Sequence, residues 1–83
     1  MSNQGEFLKY LLRVEPDVRA FIGSLVFDPH EREDIFQEVA LVAWGQFHKY
    51  DSARPFGAWV RGIAGNKILQ MRDKLSKRPT PLT

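Results

Sequence analysis

The chain has 83 residues, 43% of them hydrophobic and 12% aromatic, which is material for one small domain with a modest core and not for two. It contains no cysteine and only two histidines, His30 and His48, so a disulfide scaffold and a cysteine zinc site are excluded and the histidines alone cannot complete a metal site. Net charge is only +2, yet it is sorted along the chain: from residue 61 onward Arg61, Lys67, Arg72, Lys74, Lys77 and Arg78 stand against a single acid, Asp73, whereas acids outnumber bases over residues 1 to 50. The basic end suits phosphates, and it is equally what a helix C-terminus collects to complement its dipole.

Residues 6 to 13 read as a short helix that breaks near Glu15, because the residue before a proline is pushed out of the helical region. Pro16 then opens a second helix, in which Val18, Phe21, Ile22, Leu25 and Val26 recur at helical spacing until about Phe27. Asp28 is placed to cap the next helix, with Pro29 in its first turn and Glu31 completing a capping-box pattern. That third helix runs from about Pro29 to Phe47, with Ile35, Val39, Val42, Ala43 and Phe47 toward the core. After a break over residues 48 to 54, Pro55 opens a fourth helix whose apolar positions are Phe56, Trp59, Val60, Ile63, Ile68, Met71 and Leu75, and Pro79 stops it.

No segment alternates with the period of a strand, and there is no internal repeat. The expectation is an all-α domain over residues 1–78, a compact bundle of three main helices plus a short N-terminal helix, with residues 79–83 as a linker or cut chain end. No apolar run approaches the roughly 20 residues of a membrane span, and the first residues lack a signal-peptide pattern, which points to the cytoplasm. No nucleophile, base and orienting group come together, so an enzyme is not expected, nor is a cofactor.

Two helical faces exceed what a core requires. On the third helix, at about 100° per residue, Asp34, Gln37, Glu38, Leu41 and Gly45 fall opposite the apolar stripe, with Trp44 at its edge. A leucine flanked by carboxylates and an amide is how a helix presents itself to a basic partner; single exposed leucines also occur with no partner at all. On the fourth helix Asn66, Gln70 and Asp73 share one face, with Arg61 and Arg72 toward the other edge of the apolar stripe. Amides pair with base edges, aromatic rings stack on bases, and Lys or Arg neutralises phosphate. Trp59 fits the core better than a stacking platform, whereas Tyr50 has no core period and is the better ring for stacking.

The motifs themselves resemble a known family. Glu33-Asp34-Ile35-Phe36-Gln37-Glu38-Val39, then Trp44, a short loop, and Phe56-Gly57-Ala58-Trp59-Val60-Arg61-Gly62-Ile63-Ala64-Gly65-Asn66 are similar to the two signatures of region 2 in extracytoplasmic-function sigma factors of the sigma-70 family. The resemblance spans roughly residues 5 to 78. It implies that Asp34, Gln37, Glu38 and Leu41 dock on the coiled coil of the largest RNA polymerase subunit. It also implies that Tyr50, Asp51, Ser52 and Asn66 capture a flipped base of the −10 promoter element on the non-template strand. Gln70 shares the Asn66 face, and Lys67, Arg72, Lys74 and Arg61 would track the phosphates. The chain departs from the family at Gly62 and Gly65, where larger residues are usual and each glycine costs about 1 kcal/mol of helix propensity.

The function expected on this basis is promoter recognition and −10 melting by a domain that is monomeric when free, with RNA polymerase core, promoter DNA and an anti-sigma factor as partners. A −35-binding domain normally follows in such factors, so an excised domain is expected. The alternative is a sigma-like helical module that engages polymerase or an anti-sigma factor without reading DNA.

Overall fold

The computed structural model describes residues 4–76, with side chains described through residue 74. Three helices account for nearly all of it: α1 over Gln4–Leu25, α2 over Pro29–Gln46 and α3 over Phe56–Ser76, with one 3-10 turn at Phe47–Lys49. Each helix packs against both others, and no strand occurs among the described residues. The all-helical bundle is therefore as expected. The stop at Pro79 and the side chain of Leu75 lie outside what is described.

One expectation is overturned: no helix break occurs at Glu15. The short N-terminal helix and the helix expected from Pro16 are a single 22-residue α1 with Pro16 inside it. The proline removes one backbone hydrogen bond and clashes with the preceding turn, at a cost of about 3 kcal/mol. Against that, Phe7, Leu11, Val18 and Ile22 form one continuous buried stripe that requires an unbroken helix. Each such side chain contributes about 1.5–3 kcal/mol on burial, so the stripe outweighs the proline. Pro16 itself is exposed to solvent.

The turn into α2 forms as its residues suggest. Asp28 has extended backbone angles, and its Oδ1 accepts from the His30 amide at 3.0 Å, with Pro29 in the first turn. Glu31 makes no reciprocal bond to Asp28; its side chain lines a groove toward α3 instead. Ile35, Val39 and Ala43 are buried as expected, Val42 is half-buried, and Phe36 joins the core, with the Arg19 guanidinium 4.0 Å above its ring.

In α3 the buried positions are Phe56, Val60, Ala64 and Ile68, four apart, while Trp59, Ile63 and Met71 are half-buried at the margin. Pro55 acts as the cap, its carbonyl accepting from the Trp59 amide at 3.1 Å. Gly57 has a packing reason: a Cβ there would lie 3.2 Å from Arg61 Nη1 and 3.4 Å from Val14 Cγ1, so glycine lets α1 and α3 approach. At Gly62 and Gly65 a Cβ would meet open space, so internal packing does not account for them.

At one end of the bundle, Phe7, Phe47, Tyr50, Phe56 and Trp59 form a continuous ring cluster joined by Tyr10 and Trp44. Edge-to-face and tilted pairs of this kind contribute about 0.5–1.5 kcal/mol beyond area burial. The cluster fixes the loop between α2 and α3 against the core.

Candidate nucleic-acid and protein interface

Asp34, Gln37, Glu38 and Leu41 all lie on the outer surface of α2, and Leu41 is 71% exposed. The local reason is helical periodicity: with Ile35, Val39 and Ala43 turned inward, residues three and four apart on the opposite side must turn outward. The neighbouring Glu33 is spent within the domain. Its carboxylate accepts from Arg19 Nη1 at 2.7 Å, and Arg19 Nε also binds Glu15 at 2.8 Å, tying α1 to α2. The Arg19 hydrogen bond holds the Glu33 carboxyl below the usual carboxylate range, and the two carboxylates, Glu33 first, hold the guanidinium above its ordinary value. Asp34 and Glu38 make no ion pair among the described residues.

The acidic side of α2 faces basic residues of α3. Asp34 and Glu38 line one wall of a groove of about 310 Å³, and Lys67, Gln70 and Lys74 line the other, over a floor that includes Ile35 and Met71. No ion pair crosses the groove among the described residues, so both signs of charge stand available to ligands. The same α3 wall continues into a second depression of about 280 Å³, lined by Val42, Gln46, Ile63, Asn66, Lys67 and Gln70. Of the expected DNA-contacting residues, the fold thus brings Asn66, Lys67, Gln70 and Lys74 to the α2 flank of α3.

The remaining ones are held elsewhere. Arg61 lies on the α1 flank, beside Gly57 and Val14. Arg72 also reaches toward α1, where its Nη2 donates to the Leu25 carbonyl at 2.9 Å. The cations of α3 therefore flank it on two sides and do not form one phosphate track.

Tyr50 corrects the expectation of a ring outside the core. It is half-buried, near-parallel to Phe47 at a centroid distance of 6.1 Å, edge-on to Phe56 at 5.2 Å and tilted against Trp59 at 5.0 Å. Its hydroxyl donates to the Arg54 carbonyl. Asp51 is likewise used to shape the turn: Oδ1 accepts from the Ala53 amide at 2.9 Å, and its carbonyl accepts from the Arg54 amide at 2.9 Å. Ser52 is exposed at the tip. The loop is thus preshaped by its own hydrogen bonds.

Gln46 was not singled out by sequence reasoning. The available signal is its place four residues after Val42, which puts both on the α2 flank that meets α3.

The sequence matches the family model described as Sigma-70 region 2 over residues 10–78. No curated protein and no solved structure gives a significant match.

Proposed function

This chain belongs to the sigma-70 region 2 family, and on that premise we propose that it is the region 2 domain of an extracytoplasmic-function sigma factor. The family binds RNA polymerase core and recognises promoter DNA, and it is not an enzyme family. In the proposed mechanism, Leu41 supplies the apolar anchor for the coiled coil of the largest polymerase subunit. Asp34, Gln37 and Glu38 fix register and attract its basic residues. Asn66 and Gln70 read unpaired bases of the −10 element on the non-template strand, while Lys67 and Lys74 neutralise its phosphates. The preshaped loop at Tyr50, Asp51 and Ser52 borders the captured base, Arg61 is a further cation on the far flank, and Arg72 is held against the end of α1. Melting follows from binding the separated strand better than the duplex, which offsets the few kcal/mol of unstacking a base.

The observation that carries this reading is the pairing of two unengaged surfaces on one groove. Asp34 and Glu38 stand on its α2 wall, with Leu41 exposed beyond it on the same helix, and Lys67, Gln70 and Lys74 stand on its α3 wall, with no ion pair between the walls among the described residues. An anti-sigma factor would meet the same acidic face, and the domain acts as a monomer in the cytoplasm. No described helix is long and apolar enough to cross a membrane.

The test has two arms. Asp34→Ala, Gln37→Ala and Leu41→Ala lower affinity for a polymerase coiled-coil fragment while the thermal melts stay unchanged; unaltered binding in all three removes the docking assignment. Asn66→Ala lowers binding to single-stranded −10-like DNA in a base-dependent way. Coiled-coil binding without any base preference would make the chain a sigma-like protein-binding module that does not read DNA.

A further inference from the structure

Across the second α2–α3 depression, three primary amides converge from two helices: Gln46 near the end of α2, and Asn66 and Gln70 on α3. None of the three is engaged by another described residue, and neither is Lys67 beside them. That sets them apart from Tyr50, Asp51 and Arg72, each of which already makes a side-chain hydrogen bond to the backbone. The floor is apolar, from Val42 and Ile63, and the volume of about 280 Å³ lies just below the range of clefts for drug-sized ligands, enough for a single base.

The charge of this depression differs from that of the groove next to it. Asp34 and Glu38 face the lysines there, whereas no carboxylate lines the Gln46 depression, where Lys67, shared by both, is the one charged lining residue. An apolar floor, a rim offering both amide donors and amide acceptors, and one cation with no carboxylate on the same rim match a planar base with its attached phosphate. An acidic peptide would use the lysine and leave three amides without defined partners.

We propose that Gln46 is a base-reading residue, which with Asn66 and Gln70 binds the edge of one unpaired nucleobase while Lys67 holds the adjoining phosphate. The assignment rests on the promoter-reading function proposed above and extends it to α2, the helix that also carries the docking face. One helix then contacts polymerase with its outer side and a base with its inner flank.

The experiment uses the full chain bound to polymerase core, titrated with short single-stranded DNA oligonucleotides in which each position is varied in turn. Gln46→Ala lowers the preference at one position about tenfold, leaving the preferences elsewhere and the salt dependence as they were. Gln46→Met, which keeps the length and loses only the amide, does the same. Lys67→Ala weakens every oligonucleotide alike and reduces the salt slope by about 0.7. Gln46 is exposed, so both substitutions leave the thermal melt in place. Unchanged preferences in the Gln46 variants, or equal losses for all oligonucleotides, overturn the assignment. If Asn66→Ala loses base preference and Gln46→Ala keeps it, Gln46 alone is wrong; a wild-type chain with no base preference removes the promoter-reading function and this assignment together.

Discussion

Arg72, near the end of α3, donates from Nη2 to the backbone carbonyl of Leu25 at 2.9 Å across 47 residues of chain. Carbonyls at a helix end have no intrahelical partner, and α1 has no basic residue in its own last turn. The missing cations come from the other two helices: Arg72 at Leu25, and Arg32, whose Nε donates to the Val26 carbonyl at 2.6 Å. A side chain that looks like a phosphate contact is therefore a tertiary helix cap.

Arg72→Met keeps the stem and removes the cap. It is expected to destabilise the domain by about 1 kcal/mol, lowering the melting temperature by about 4–8 °C. Its effect on the salt dependence of DNA binding is expected to be smaller than that of Lys67→Ala, which touches no described partner. An unchanged melt together with a full loss of salt slope would return Arg72 to the phosphate track.

Tyr50 separates shape from stacking. Tyr50→Phe retains the ring among Phe47, Phe56 and Trp59 and deletes only the hydroxyl that donates to Arg54. Thermal unfolding should report a loss of about 1 kcal/mol, and amide exchange should accelerate in residues 51 to 54. Tyr50→Ala, which also empties part of the ring cluster, is expected to cost about 3 kcal/mol. If Tyr50→Phe leaves loop exchange untouched, the hydroxyl does not hold the loop.

The unpaired charges across the 310 Å³ groove set a third expectation. Glu38→Gln removes a carboxylate from the wall facing Lys67 and Lys74. Its repulsion of phosphate across a wet groove is a fraction of a kcal/mol, so the free domain should bind single-stranded DNA about twofold more tightly. Because the effect acts between exposed charges, raising the salt to about 1 M should abolish it. Titrations at low and high salt decide the matter; a gain that survives high salt would have another cause.

Glu33 gives the pH dependence. Arg19 holds its carboxyl below the unfolded value, so the stability it contributes is present above the unfolded pKa and lost as pH falls through the folded one. The pair is well exposed, so the effect is small. Between about pH 5 and about pH 3 the denaturant midpoint of the wild type should fall more than that of Glu33→Gln. Parallel decline in both proteins would mean that Arg19 and Glu33 do not hold each other in solution.

Local spacing made much of this protein legible. Helical period alone places Ile35, Val39 and Ala43 inward, which obliges Asp34, Gln37, Glu38 and Leu41 to turn outward, because the angle between residues of one helix does not depend on its neighbours. The same arithmetic separates Asn66 and Gln70 from the core of α3. Asp28 and Pro29 mark the start of α2 for an equally local reason, since a cap is made by residues two or three apart.

What only the tertiary structure decided is which of those exposed or marginal groups are already occupied. Pro16 lies within a helix because burial of Phe7, Leu11, Val18 and Ile22 exceeds the local cost of a proline. Arg72 is a cap because α1 ends beside it. Tyr50 is a ring in a cluster because Phe47, from the turn after α2, and Phe56 and Trp59, from the start of α3, close around it. Gln46 meets Asn66 because α2 lies against α3. For Arg72 and Gln46 the partner is distant in sequence, and spacing along one helix carries no information about which flank of another helix it will face; for Pro16 and Tyr50 the deciding term is burial against the rest of the bundle, which local preference does not contain.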